Sequence, residues 1–311
     1  MNRTPVNTGL EKVFFIYEDA SDTAVQKEIS LAVGNLEHDG VKAEGIAAEK
    51  FMPDPGALKL PENGGSMLFI TDSPLLFKYL LKAGMPAAAW VHEKPREEPA
   101  GRGEDFAGAA YLVEEPRYID TDSFIKIYER LKGLPWTILE TKRCIVRELE
   151  EADAPDVLAL YDEAALGFVE SPARNADEEA GILAAYRQKV YGFFGYGTWA
   201  VIEKDSGRLI GRAGFEPFER KNGSMSFGYI FHPDFRGKGY AGEVCAALVE
   251  YGFEMLGFTA VEADTDQGNT ASAKLLQRLG FVPVNGRDKT DTDNEDAGNV
   301  LTFRRERPEK E

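Results

Sequence analysis

The sequence predicts an α/β protein in two halves, a layered parallel sheet in residues 1–138 and a differently ordered sheet containing a hairpin in residues 139–311. Three observations point there. Apolar runs rich in β-formers alternate with helical periods as far as Leu131, the pattern of parallel strands joined by crossover helices. Gly133 and Pro135 then interrupt the period, and a fresh apolar run starts at Cys144. Beyond it two strands follow one another through Lys204-Asp205-Ser206-Gly207, a hairpin signal with glycine at the turn. A length of 311 residues, at about 150 per domain, agrees with two domains.

In the first half, Val13, Phe14, Phe15, Ile16 and Tyr17 form a continuous apolar run that reads as a strand buried on both faces. A helix over residues 21–36 follows, capped by Ser21 or Asp22, with Val25, Ile29, Ala32, Val33 and Leu36 at helical spacing and Gly40 past its end. Residues 67–71 (MLFIT) are a second buried strand that delivers Asp72 and Ser73 at its end, and Pro74 opens a helix that stops at Gly84. Residues 87–92 and 109–113 are strands, residues 123–131 a helix, and the charged, Pro- and Gly-containing stretch 93–104 a solvated loop. The alternation is Rossmann-like.

The second half reads differently. Strands are predicted over residues 144–147, 198–203, 208–215, 224–231, 260–264, 281–284 and 300–304. Helices are predicted over 152–163, 177–191, 240–256 and 271–279, and residues 287–298 form an acidic loop.

Composition sets outer bounds. With 43% hydrophobic and 29% charged residues the chain is an ordinary globular protein, which excludes a disordered chain, a collagen repeat and a disulfide scaffold. Lys and Arg number 36 against 53 Asp and Glu, a net charge of −17. Such a surface repels phosphate backbones and anionic lipids, so no nucleic acid and no membrane is expected among its partners. No apolar run approaches the roughly 18 residues of a membrane helix, the first residues lack a signal-peptide core, and the two distant cysteines, Cys144 and Cys245, read as reduced thiols. A cytoplasmic protein is expected.

The chemistry concentrates in Arg236-Gly237-Lys238-Gly239-Tyr240-Ala241, between a strand and a helix. Two glycines allow a tight, left-handed path on which successive N–H groups converge at the helix N-terminus, a geometry that holds a phosphate or pyrophosphate without a basic surface. Arg236 and Lys238 add cations at the rim. A phosphate-binding Gly-Lys-Ser/Thr loop does not fit, because Tyr240 and Ala241 follow Gly239. Gly237, Gly239 and Gly242 satisfy the dinucleotide spacing, with Glu262 and Asp264 as ribose partners, yet the preceding strand follows a hairpin instead of opening a parallel unit. Spacing alone leaves a pyrophosphate site and an ordinary glycine turn both open.

A second segment adds to this. Asn269-Thr270-Ala271-Ser272 precedes a helix with Leu275, Leu276 and Leu279 as its apolar stripe, stopped by Gly280-Phe281. Arg236, Gly239 and Ala241 together with Asn269, Ser272, Gly280 and Phe281 resemble the paired motifs of the GNAT family of acyl-CoA-dependent N-acyltransferases. The stretches TKRCIVRELEEAD and FGYIFHPDFRGKGYAGE look most like its ribosomal-protein alanine N-acetyltransferase branch. The resemblance implies a mixed-sheet α+β domain and acetyl transfer from acetyl-CoA, with no metal, directly to a primary amine of a small molecule or a protein N-terminus. By position, Tyr229, Ile230, Phe231 and His232 would face the pantetheine arm, Arg236, Gly237, Lys238, Gly239, Tyr240 and Ala241 the pyrophosphate, and Asn269 and Ser272 the cofactor's side. Two departures stand out: Leu276 occupies the place of a tyrosine acid found in many members, and Ser226 the place of a strand glutamate. Glu216 is the first candidate base, with Asp264 and Tyr229 behind it, and Cys245 reads as a core residue. The departures also admit a non-catalytic acyl-CoA-binding sensor.

The first half resembles the haloacid-dehalogenase-like core through Asp72 at a strand end and Ala83-Gly84-Met85 after the next helix. The catalytic acids of that family are missing, since its first strand ends Tyr17-Glu18-Asp19-Ala20-Ser21 and Leu75, Leu76 and Phe77 follow Ser73-Pro74. The resemblance implies a degenerate domain used for packing, acceptor recognition or assembly into a homodimer, with hydrolysis disfavoured.

Overall fold

The computed structural model describes residues 9–51, 65–92, 106–168, 172–220, 222–284 and 300–309. The chain divides into two compact units, Met1–Trp136 and Thr137–Glu311.

The first unit contains β1 (Lys12–Tyr17), α1 (Thr23–His38), β2 (Lys42–Ala47), β3 (Met67–Thr71), α2 (Pro74–Lys82), β4 (Ala87–Trp90), β5 (Leu112–Val113) and α3 (Thr121–Leu131). Its five strands are parallel throughout, in the doubly wound order β2-β1-β3-β4-β5. Successive residues of β1 enter opposite cores, Phe15 with Leu36, Trp90 and Phe124, and Ile16 with Phe69, Phe77 and Leu80. That is why β1 reads as an unbroken apolar run. Asp22 caps α1 by accepting from the N–H groups of Ala24 and Val25, and Ser73 caps α2 ahead of Pro74. The sequence reading did not include β2, whose KAEGIA carries charge because only one side of this edge strand is paired, and glycine because a Cβ at Gly45 would lie 2.5 Å from Ile29. The predicted strand 109–113 shortens to Leu112–Val113, and the predicted loop 93–104 lies outside the described residues.

The second unit contains β6 (Thr137–Glu140), β7 (Cys144–Arg147), α4 (Ala154–Leu158), α5 (Ala176–Tyr186), β8 (Thr198–Glu203), β9 (Leu209–Glu219), β10 (Met225–Phe231), α6 (Tyr240–Glu254), β11 (Ala260–Asp266), α7 (Thr270–Arg278), β12 (Val282–Pro283) and β13 (Val300–Glu306). The eight strands form one sheet in the order β12-β13-β11-β10-β9-β8-β7-β6, in which β10 and β11 are parallel and every other pair is antiparallel. On one face Phe215 meets Trp199 and Phe258 edge-on and Phe227 at a tilt, and Trp199 meets Tyr251 of α6 edge-on. On the other, Ile230 packs into a core with Ala154 and Val157 of α4 and Leu183 of α5.

Three expectations shift here. Strand β6 occupies part of the stretch read as a linker, pairing antiparallel with β7 at the sheet edge. The helix predicted over 152–163 is cut to a short turn and α4. The helix predicted over 177–191 stays α-helical only to Tyr186 and continues as one π turn, Arg187–Tyr191. The π turn brings two phenols onto one residue: Tyr186 Oη accepts from the Thr198 N–H at 2.8 Å, and Tyr191 Oη donates to the Thr198 carbonyl. The acidic loop 287–298 lies outside the described residues. Among the described residues no helix is long and apolar enough to cross a membrane.

Strands β8 and β9 approach so closely at Gly214 that a Cβ there would lie 2.1 Å from the Gly197 carbonyl oxygen. Gly214→Ala is expected to lower unfolding stability by at least about 1–3 kcal/mol, read from the denaturant midpoint.

Candidate active site

The only parallel pair of the second sheet, among the described residues, meets at just two positions. Strands β10 and β11 are in register at Met225↔Val261 and Ser226↔Glu262, and then they part. Each strand continues for several residues, so main-chain N–H and C=O groups along the inner edges face a wedge instead of each other. By the same register, Phe227 and Tyr229 on one wall share a face with Ala263 and Thr265 on the other.

At the narrow end of the wedge a buried carboxylate holds the strands in place. Glu262 accepts from Arg220 Nη1 at 3.1 Å, Arg304 Nη1 at 2.9 Å and Asn222 Nδ2 at 2.8 Å. Arg220 also reaches Ser226 Oγ at 3.0 Å and Asp264 Oδ2 at 3.0 Å, while Thr302 donates to Asp264 at 2.7 Å. Seven polar side chains from three strands and the β9–β10 connection therefore lock the point of divergence.

At the wide end, β10 runs into the predicted turn. Gly237 (φ 74°) and Gly239 (φ 85°) both take the left-handed conformation, which removes the Cβ clash other residues would suffer. Gly239 leads directly into α6. Among the described residues no acceptor meets the N–H groups of Gly237, Lys238, Gly239, Tyr240, Ala241 or Gly242. The turn is braced from behind. Arg143 donates to the Lys238 carbonyl at 3.1 Å, pairs with Glu243 at 2.7 Å and lies 4.0 Å over the Tyr240 ring, and Tyr240 Oη donates to Glu203.

The predicted residues divide into groups. Arg236 points inward: it donates to the carbonyls of Phe231 and Leu160 and forms a two-contact pair with Asp162 at 2.9 and 3.0 Å. It therefore anchors the turn instead of standing at its rim as a free cation. Lys238 is exposed. His232 Nδ1 accepts from the Asp234 N–H, shaping the approach to the turn. Ile230 packs into the core and Phe231 is buried. Asn269 caps α7 by accepting from Ser272 N, and Ser272 Oγ meets Tyr229 Oη at 2.8 Å, joining β10 to the helix across the wedge.

Of the three candidate acid–base groups, Asp264 is engaged by Arg220 and Thr302. Glu216 is exposed on β9 and alternates with buried Phe215, so it faces the α4/α5 side. Burial pushes the Tyr229 phenol up to about 12, so it keeps its proton throughout the neutral range and can donate one but not accept one. Leu276 is buried in the core. Burial also pushes the Cys144 thiol up to about 11 and the Cys245 thiol higher still, which leaves neither as a thiolate at neutral pH.

Sequence reasoning missed Arg220, Arg304 and Thr265. Thr265 is 7% exposed and its hydroxyl has no partner among the described residues, on the wall opposite Tyr229. A buried hydroxyl without a partner beside an open wedge leaves one hydrogen bond to be made there.

The sequence model of the acetyltransferase (GNAT) domain matches residues 143–282. An uncharacterized N-acetyltransferase of Bacillus subtilis, YoaA, is 30% identical over 149 residues, which are 46% of this chain and 82% of that protein. The chain belongs to the GNAT acetyltransferase family. The L-methionine sulfoximine/L-methionine sulfone acetyltransferase of Pseudomonas paraeruginosa is 31% identical over 143 residues, 44% of this chain and 78% of that protein. A solved ribosomal-protein-S5-alanine acetyltransferase from Vibrio fischeri aligns over 54% of this chain and 96% of its own, with 18% identity and a TM-score of 0.46. This GNAT protein is accordingly an acetyltransferase whose acceptor is an amine. The family match lies wholly within the second unit.

Removing the buried carboxylate strands two guanidinium groups. Glu262→Ala is expected to cost about 3–5 kcal/mol of stability, with Glu262→Gln recovering part of it, both read by chemical denaturation.

Proposed function

We propose that the second unit transfers the acetyl group of acetyl-CoA directly to a primary amine of a small molecule or a protein N-terminus. One observation carries the reading: two adjacent parallel strands part beside a turn whose successive N–H groups have no acceptor among the described residues. A pyrophosphate suits those amides and the N-terminus of α6. An extended amide-containing chain suits the free edge of β10, and the Thr265 hydroxyl offers it a further hydrogen bond.

The chemistry then needs little more than placement and two proton movements. The amine nitrogen attacks the thioester carbonyl carbon, a C–N bond forms and the C–S bond breaks. The ammonium proton passes to Glu216, directly or through one water, and the departing sulfur takes a proton from the Tyr229 hydroxyl, which Ser272 Oγ orients at 2.8 Å. Tyr229 thus supplies from β10 the acid that the buried Leu276 does not supply from α7. The name of the Pseudomonas relative favours the α-amine of an amino acid as acceptor class. The first unit keeps its likeness to the haloacid-dehalogenase core as a proposal. Its Asp72 accepts from the Glu18 N–H at 2.9 Å and meets His92 Nε2 at 2.7 Å, bonds that serve to fix the strand ends.

Thiol release from acetyl-CoA over a panel of amines tests the reading, and acetyl-CoA binding without turnover on any amine would replace it with the sensor. Tyr229→Phe is expected to lower kcat by about 10²–10⁴-fold with the KM for acetyl-CoA nearly unchanged. Because the phenol holds its proton to about pH 12, the wild-type kcat profile should show no falling limb from Tyr229 across the neutral range. Glu216→Gln is expected to lower kcat without weakening acetyl-CoA binding by calorimetry, and unchanged turnover removes Glu216 from the mechanism.

A further inference from the structure

Glycine inside a paired strand weakens it, so each strand glycine calls for a reason. Packing supplies one for Gly45, Gly211 and Gly214, where an added Cβ would approach other atoms to 2.5, 2.8 and 2.1 Å. Gly228 on β10 is different. It is exposed, its φ lies outside the left-handed region, and a Cβ built on it meets nothing within 4 Å. Neither packing nor backbone conformation asks for glycine there.

Its position supplies the missing reason. Gly228 lies two residues past the last β10–β11 pair, on the wall where the wedge begins to open. Alternating with Phe227 and Tyr229, it faces the α4/α5 side, opposite the face on which Tyr229 meets Ser272. Its lateral neighbour is Gly214, and Glu216 is the next residue along β9 on the same face. The candidate base thus stands diagonally beside an empty side-chain position, on the side of the sheet away from the Tyr229–Ser272 contact.

We infer that Gly228 is the acceptor-selecting residue: the space left by its missing side chain holds a substituent on the carbon bearing the amine, so the enzyme takes amines on branched carbons, as in an amino acid or a peptide N-terminus. An unbranched alkylamine carries one carbon and two hydrogens on that atom, can turn the single carbon away from the strand, and gains nothing from the glycine. The inference rests on the acetyl-transfer reading above and adds the residue that selects the acceptor.

Two measurements test it. The first compares wild type with Gly228→Ala and Gly228→Val on L-methionine sulfone and on ethylamine, together with acetyl-CoA affinity by calorimetry. The alanine variant is expected to lose at least about 10-fold in kcat/KM for L-methionine sulfone and little for ethylamine, with valine worse and acetyl-CoA affinity kept. Equal losses on both amines, or no loss on either, overturn the inference. The second does not depend on turnover. Cys144 and Cys245 are both fully buried, so in Gly228→Cys the new thiol is the accessible one. It is expected to react with iodoacetamide, to be protected by L-methionine sulfone and to stay reactive with coenzyme A alone. Protection by coenzyme A alone assigns the space to the acyl donor, and an unreactive thiol shows that it is closed; either result overturns the inference. If the wild type acetylates no amine while Gly228→Cys is still protected by L-methionine sulfone, the acetyl-transfer reading fails and the acceptor seat stands.

Discussion

The second unit depends on a pairing that stops early. Two parallel strands that continued in register would satisfy each other's main chains and leave nothing for a ligand. Here they hold together at two positions and then diverge, and a carboxylate with 4% of its side chain exposed fixes where that happens. Burying Glu262 is tolerable because two guanidinium groups and an amide surround it, so its charge is met by hydrogen bonds on both oxygens. The wedge is thus held open by electrostatics at its base, by the Tyr229–Ser272 contact along one face, and by the left-handed turn at its mouth.

Charge is distributed in keeping with this. The chain carries −17 overall, yet the proposed anion site is made of peptide dipoles, and two arginines near it are already paired. Arg236 is bound to Asp162 and two carbonyls, and Arg143 to Glu243 and the turn itself. These arginines shape the main chain. The same economy appears at the base of the wedge, where Arg220 ties Ser226 to Asp264. A serine in place of a strand glutamate therefore has a structural partner.

Most of the fold was legible because its signals are local. Continuous apolar runs gave β1, β3 and β4, whose neighbours bury both faces, and the hairpin turn gave β8 and β9. Strands β2 and β6 escaped because edge strands carry charge and their partners lie elsewhere in the chain. The π turn escaped because helical periodicity does not register one extra residue, although that residue is what allows Tyr186 and Tyr191 to hold Thr198 from two sides. In the site, the glycine turn and the Asn269 cap were readable as motifs. Arg220 and Glu262 were not, since no spacing rule connects residues brought together only by sheet register. Gly228 was invisible for another reason: in sequence it is one glycine among 31, and only a built Cβ separates it from those that packing explains.

An anion site assembled from main-chain amides has an evolutionary consequence. Peptide groups are the same whatever side chains they carry, so the proposed pyrophosphate surface depends on sequence only at the two left-handed glycines and at the side chains that brace the turn. An exchange of the exposed Lys238, or a more acidic surface, leaves those main-chain groups and their aim unchanged.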